Sequence, residues 1–136
     1  MKIKKIDHIG IAVKNIEKSL TDWESLFGLR AGKIEKIKDR NVKLIHLEFE
    51  DGPSVELVSP LAEDAAVAKF LNERGEGIHH VCVIVDDIQE AMEALKKKGL
   101  QFVQEEPEKG AGGSRIAFIH PRSLNGVLLE LKQEAE

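Results

Sequence analysis

The spacing of apolar and polar side chains in the first half of the chain predicts one strand, one helix and three more strands. Residues 3–13 alternate with a period of two, which indicates a strand with one apolar face and one small or polar face. Asn15 can cap a helix whose apolar residues recur every three or four positions until Gly28. The three further strands are predicted at residues 32–38, 42–49 and 55–58.

The second half of the chain follows the same order of elements. A helix over residues 63–74, with Asp64 as its cap, is predicted to link the two halves. Asp86 or Asp87 can then cap a helix that ends at Gly99. The strands predicted in this half lie at residues 78–85, 100–104, 115–119 and 127–132.

The two halves also match in particular residues. His8 and His80 occupy the same place in the two first strands, and Glu56 and Glu130 occupy the same place in the two last strands. Such an internal repeat predicts an α+β fold of two tandem βαβββ units within a single domain, residues 1–136. The parts are repeat 1 at about 3–60, the linking helix at about 63–74 and repeat 2 at about 77–133.

The four repeated residues are candidate metal ligands. Side chains on one face of a strand recur every second residue, so curved mixed sheets could direct all four into one cleft. Two imidazoles and two carboxylates suit a divalent first-row metal, and cobalt is the first choice among cobalt, nickel, zinc, manganese and iron. Taken singly, each would be read as a hydrogen-bonded strand histidine or a solvated glutamate, and only the repetition favours a metal site. The predicted ligands are His8, Glu56, His80 and Glu130.

Other polar residues have weaker claims to a function. His46 and Glu48 share one face of their predicted strand and are expected at the cleft or its rim. His79 should face away from His80, towards a helix or solvent, and Cys82 is interpreted as a small apolar filler. The loop from Lys109 to Arg115 is rich in glycine and could bind an anion through backbone N–H groups, although a plain flexible loop has the same composition.

Composition and charge exclude several classes of partner. The chain has 136 residues and a net charge of −4. Its acidic and basic residues are interspersed, so the sequence shows no basic cluster of the kind that binds nucleic acid. No apolar run approaches the roughly 20 residues that span a bilayer, so no membrane partner is expected. The single cysteine cannot form an internal disulfide, which is compatible with a reducing, cytoplasmic location.

Three stretches resemble a known family. The start IDHIGIAVKNIEKSL, the centre SPLAEDAAVAKFLNERGEGIHHVCVIVDDI and the end GAGGSRIAFIHPRSLNGVLLEL are similar to the vicinal oxygen chelate superfamily. Within that superfamily they most resemble the methylmalonyl-CoA epimerase family. The resemblance covers nearly the whole chain, and the helical spacer before GIHH is among its more specific features. It implies a metal-dependent isomerase that interconverts the 2R and 2S forms of a CoA thioester through a metal-stabilised enolate.

The resemblance also implies roles for particular residues. The family's metal ligands fall on the four candidates above, although some epimerases carry Gln where this chain has Glu56. One of the two carboxylates assigned to proton transfer in the family falls on Glu130. The other falls near Leu44, which is not a carboxylate, so His46 or Glu48 is predicted in its place. The residues predicted to contact substrate are Lys109, Gly112, Gly113, Arg115 and His120.

Three alternative functions share this fold. The first is a glyoxalase-type lactoylglutathione lyase, whose family ligand set is also two His and two Glu. The second is a non-catalytic ligand-binding protein, which generally lacks those ligands. The third is a dioxygenase, which the fourth protein ligand disfavours because it leaves less room for O₂. Exposed sheet edges need to be covered, and the resemblance implies a homodimer because homodimers are common in this superfamily. A homodimer is therefore predicted.

Overall fold

The computed structural model describes residues 1–136 and confirms the α+β fold of two βαβββ repeats, with the strand predicted at residues 32–38 replaced by two short strands, Arg30–Ala31 and Glu35–Ile37. Each repeat begins with a strand and a helix and continues with shorter strands. The elements of the first half are β1 Ile3–Ala12, α1 Ile16–Phe27, β2 Arg30–Ala31, β3 Glu35–Ile37, β4 Val42–Glu48 and β5 Ser54–Pro60. The helix α2, Ala66–Arg74, follows. The second half comprises β6 Gly77–Val85, α3 Ile88–Lys97, β7 Glu108–Lys109, β8 Arg115–Ile119 and β9 Leu129–Gln133.

The chain divides into two compact units whose boundaries cut through the first strand of each repeat. The first unit is His8–His79, and the second combines His80–Glu136 with Met1–Asp7. In the second unit, the amide of Asp86 donates to the carbonyl of Lys2 at 3.3 Å, and the amide of Lys2 donates to the Asp86 carboxylate at 3.1 Å. Residues 1–7 are therefore held by the half of the protein that is last in sequence.

The strands of the two units pair in the same way. In the first unit β1 pairs in parallel with β5, and β4 pairs antiparallel with β5, β3 and β2. In the second unit β6 pairs in parallel with β9, and β8 pairs antiparallel with β9 and β7. The parallel pairing of the first and last strand of each repeat brings a histidine strand beside a glutamate strand.

Each unit has its own apolar core between its helix and its strands. In the first unit Ile16 of α1 packs with Ile45 and Leu57, and in the second unit Ile88 and Met92 of α3 pack with Leu131. Each fully buried side chain of this size stabilises the fold by about 1.5–3 kcal/mol.

The polar face of β1 is buried more deeply than sequence alternation suggested. His8, Gly10 and Ala12 are buried, whereas Ile9 and Ile11 on the opposite face are only half-buried. Ile11 still packs against the core of the first unit, so both faces of this strand are covered. His8, Gly10 and Ala12 therefore lie inside the protein.

Two predicted features are wrong in detail. Helix α2 begins at Ala66, and Ala65 occupies its N-cap position without a side-chain hydrogen bond, so Asp64 does not cap it. Residues 100–104 form no strand, only an isolated bridge from Phe102 to Ile119. The side chain of Gln104 bonds the backbone of β8 instead, accepting from the Phe118 amide at 2.9 Å and donating to the Ile116 carbonyl at 3.3 Å.

Helix α3 has a true side-chain cap, which gives a direct test of this geometry. The Asp87 carboxylate accepts from the Glu90 amide at 3.0 Å. Replacing Asp87 with Ala should lower the free energy of unfolding by about 1 kcal/mol, because an orphan N–H of the first turn loses its partner. Asp64→Ala is the matched control and should change that free energy by less than about 0.5 kcal/mol. Urea denaturation measures both, and equal losses would contradict the cap assignment.

Candidate metal centre

Each unit contains one buried pair of an imidazole and a carboxylate. In the first unit His8 Nε2 lies 3.3 Å from Glu56 Oε2, with side chains 2% and 6% exposed. In the second unit His80 Nε2 lies 3.1 Å from Glu130 Oε1, with side chains 4% and 8% exposed. Burying a carboxylate is costly unless opposite charge or hydrogen bonds compensate it. In each pair the imidazole offers the buried carboxylate a hydrogen-bond donor or, if an ion is bound, a fellow ligand.

The strand register explains why the two pairs are alike. On the parallel neighbour strand, Glu56 is paired with Gly10 and Glu130 is paired with Cys82. Each of these partners lies two residues after the histidine of its strand. Residues two apart share a face, so each glutamate lies on the same side of its sheet as its histidine.

The geometry of each pair fits a divalent ion. Imidazole nitrogens and carboxylate oxygens bind such ions at about 2.0–2.2 Å. Two ligands at that distance, at right angles or tetrahedral angles around one ion, are roughly 3.0–3.5 Å apart. The separations of 3.3 Å and 3.1 Å fall in this range. The superfamily typically binds a divalent metal, and this chain has the His and Glu groups to hold one.

In the first unit, His46 lies beside the His8–Glu56 pair. Its Nε2 lies 3.2 Å from Glu56 Oε2, and its Nδ1 lies 2.8 Å from Ser54 Oγ. The potential ligand atoms of His8, His46 and Glu56 all lie within 4.8 Å of one another. The sequence singled out His46 through its strand face but missed Ser54, which lies two residues before Glu56 on the same face of β5.

The equivalent position in the second unit is a phenylalanine. Phe118 is paired with Glu130 across β8 and β9, just as His46 is paired with Glu56 across β4 and β5. The ring of Phe118 stands edge-on to His80 with centroids 5.8 Å apart, and the ring of His46 stands edge-on to His8 at 5.0 Å. Phe118 was not predicted as a site residue, because an apolar residue in a strand carries no chemical signal.

The remaining predicted residues are distributed as follows. Glu48 is exposed at the end of β4. His79 faces helix α2, as expected, with its ring edge-on to Phe70 at 4.9 Å. Cys82 is fully buried, which agrees with its interpretation as a filler. His120 uses Nδ1 to accept from the Arg122 amide at 3.1 Å, and so stabilises the turn after β8.

The glycine-rich loop is a close-packed turn. A Cβ on Gly110 would lie 2.6 Å from the Ile116 side chain and 2.7 Å from Ser114 Oγ, so only glycine fits there. Gly112 and Gly113 have φ of 64° and 79°, which also favours glycine. The buried Ser114 hydroxyl donates to the Ala111 carbonyl at 2.7 Å. Lys109 and Arg115 are paired across β7 and β8, and both are exposed.

One ion pair fixes the beginning of the chain to β9. Lys132 Nζ lies 3.3 Å from Asp7 Oδ2, and both side chains are less than one-fifth exposed. Burial disfavours the ammonium, but the Asp7 carboxylate outweighs this effect and raises the pKa of Lys132 above its usual value. Lys132 therefore stays charged at neutral pH.

None of the helices is long and apolar enough to cross a bilayer.

Comparison with known proteins defines the class of this molecule. Residues 7–118 match the family model described as the Glyoxalase/Bleomycin resistance protein/Dioxygenase superfamily. The chain belongs to this superfamily, as its sequence motifs predicted.

Particular relatives are enzymes of one kind. The Ethylmalonyl-CoA/methylmalonyl-CoA epimerase of Cereibacter sphaeroides is 34% identical over 96% of this chain and 98% of its own length. The human mitochondrial methylmalonyl-CoA epimerase is 32% identical over 95% of this chain and 73% of its own length. A solved methylmalonyl-CoA epimerase in complex with methylmalonyl-CoA and NH4+ has a TM-score of 0.94 at 32% identity, covering 98% of this chain and 96% of that one. The resemblance to this enzyme family is confirmed.

Proposed function

We propose that this protein is a metal-dependent epimerase that interconverts (2R)- and (2S)-methylmalonyl-CoA. One observation carries the proposal: the buried His–Glu pair occurs twice, in equivalent strands of a chain that matches epimerases along nearly its whole length. The chemistry requires removal of the proton at C2, between a thioester and a carboxylate, and its return to the other face.

The proposed ligands of one divalent ion are His8 and Glu56 with His80 and Glu130. The separations within each pair support its two members as ligands of the same ion, and the sharing of one ion by both pairs is part of the proposal. Two carboxylates and two neutral imidazoles would neutralise the ion's charge. When bound, such an ion supplies positive charge that stabilises the enolate formed on loss of the C2 proton. Cobalt remains the first choice, and nickel, zinc, manganese and iron are the alternatives.

Glu130 is the proposed proton-transfer group on one face of the substrate carbon. A second group must act on the other face, because inversion needs an acid and a base on opposite sides. The sequence nominates His46 or Glu48 for this second role, and the exposed position of Glu48 leaves it in contact with solvent. Leu44, on the same strand face, can neither take nor give a proton.

The CoA portion is proposed to run past the glycine-rich turn. Lys109 and Arg115 offer positive charge for phosphate groups, and Gly112 and Gly113 give a backbone that a ligand can approach closely. His120 is the fifth residue predicted to contact the substrate.

The homodimer and the cytoplasmic location are further predictions made from the sequence.

The test is proton NMR of the purified, cobalt-loaded protein with methylmalonyl-CoA in D₂O. We expect the C2 proton signal to disappear while the thioester signals remain, because each removal of the proton allows deuterium to return. The metal-free protein, prepared with a chelator and checked for folding by circular dichroism, is the control and should leave the signal unchanged.

Two other outcomes would assign a different function. Turnover of the methylglyoxal–glutathione adduct without exchange at C2 would identify a lactoylglutathione lyase. No turnover of either substrate, together with failure to retain any metal, would identify a ligand-binding protein.

A further inference from the structure

His46 is engaged at both ring nitrogens by two residues of the neighbouring strand, Ser54 and Glu56. His46 bridges two residues of β5, with Nδ1 2.8 Å from Ser54 Oγ and Nε2 3.2 Å from Glu56 Oε2. Ser54 and Glu56 are more than nine-tenths buried, and His46 is partly buried. Both ring nitrogens therefore lie at hydrogen-bond distance from oxygens of the protein itself.

The oxygens determine which nitrogen carries the proton. A carboxylate can only accept hydrogen bonds, so His46 must present Nε2–H to Glu56. In the neutral ring Nδ1 is then an acceptor, and the Ser54 hydroxyl can donate to it. Glu56 thus selects the form of His46 that donates to it, and the Ser54 hydroxyl satisfies the other ring nitrogen. Partners of this kind fix ligand orientation in metal sites.

We propose that His46 is a positioning residue that holds the Glu56 carboxylate in one orientation, with Ser54 holding the imidazole ring in place through its other nitrogen. The proposal rests on the proposed function, because Glu56 is assigned there as a metal ligand. It gives His46 a different role from the proton transfer that the sequence alone nominated.

The second unit shows why this contact distinguishes the two glutamates. Phe118 occupies the position equivalent to His46 and has the same edge-on contact with the histidine of its unit. A phenyl ring has no N–H, so it cannot give Glu130 the hydrogen bond that His46 gives Glu56. The two repeats therefore differ at this position: His46 offers Glu56 an N–H donor, and Phe118 offers Glu130 none. This difference matches the separate proton-transfer role proposed for Glu130.

The first test measures cobalt affinity by titration, without any substrate. His46→Phe, which copies the second repeat, should weaken binding about 10- to 100-fold, the usual cost of removing an outer partner of a ligand. His46→Gln keeps an N–H near the position of Nε2 and should restore affinity to within a few-fold of the wild type. Ser54→Ala should weaken binding less than His46→Phe does. His79→Phe is the matched control, since His79 packs on Phe70, and it should leave cobalt affinity unchanged.

Two results would overturn the proposal. Wild-type cobalt affinity in a folded His46→Phe protein would show that Glu56 needs no such partner. Equal losses in His46→Gln and His46→Phe would show that an imidazole is required, as for a direct ligand. If His46→Phe does not fold, the Ser54→Ala and His46→Gln proteins still decide, because only a positioning role predicts a loss in the first and retention in the second. Because no substrate is present, these results stand even if the epimerase assignment fails.

The second test transfers the contact to the other repeat. Phe118→His should place an N–H opposite Glu130 and slow exchange at C2 about tenfold, while cobalt remains bound. If a folded, cobalt-loaded Phe118→His protein exchanges at the wild-type rate, the difference between Glu56 and Glu130 does not depend on the residue at position 118.

Discussion

Replacing Glu130 with Gln should reduce solvent exchange at C2 of methylmalonyl-CoA by about 10²- to 10⁴-fold, the usual contribution of a positioned acid or base. The amide keeps the size of the side chain and an oxygen that can face the metal and His80, which lies 3.1 Å from Glu130 in the protein. It cannot carry the transferred proton. Metal binding and folding should therefore persist while exchange is lost.

Two matched variants show whether that loss is specific. Glu134→Gln removes an exposed carboxylate from the same end of the chain and should leave exchange unchanged. Glu56→Gln makes the same change in the other repeat and should reduce exchange far less, because the proposal gives Glu56 no part in proton transfer. Deuterium exchange in Glu130→Gln at the wild-type rate would refute the proton-transfer role of this residue.

Substituting either ligand histidine should empty the whole metal centre. If one ion is shared by four ligands, His8→Gln and His80→Gln should each lower the metal content from about one ion per chain to nearly none after dialysis. The loss of affinity should exceed the roughly 10- to 100-fold effect of removing an outer partner, because a direct bond is lost. Elemental analysis of the dialysed proteins measures the content.

A centre with two separate ions predicts a different metal content per chain. If each His–Glu pair held its own ion, the wild type would retain two ions, and each variant would lose only one. Thermal unfolding of the metal-free proteins is the necessary control, because removing His80 leaves the buried Glu130 with less compensation for its charge, and such changes cost stability on their own.

Much of the fold could be predicted because its determinants are local. The N-cap of Asn15, the stop at Gly28 and the alternation of β1 each depend on residues within a few positions of one another. One failure involves a distant contact, and the other concerns the residue at which a helix begins. Residues 100–104 have a strand-like composition, but the Gln104 side chain bonds β8 where a backbone ladder was expected. Asp64 has the right chemistry for a cap, but α2 begins after Ala65.

The candidate site shows the same division. The repeat identified both His–Glu pairs, because two copies of a rare combination are more informative than one. The contact between His46 and Ser54 could not be predicted, since it depends on the register between β4 and β5 and on the rotation of a ring. The role inferred for Phe118 emerges only after His46 is known, because it follows from comparing equivalent positions in the two units.

The placement of residues 1–7 has a consequence for how the protein is made. Asp7 and its partner Lys132 are 125 residues apart, so this contact cannot form until residue 132 has left the ribosome. The unit His8–His79 can become compact while translation continues, whereas the other unit must wait for its last strand and then recruit the leading segment. Contacts of such long sequence separation slow folding. A bulky fusion ahead of residue 1 should therefore delay maturation of the second unit more than that of the first.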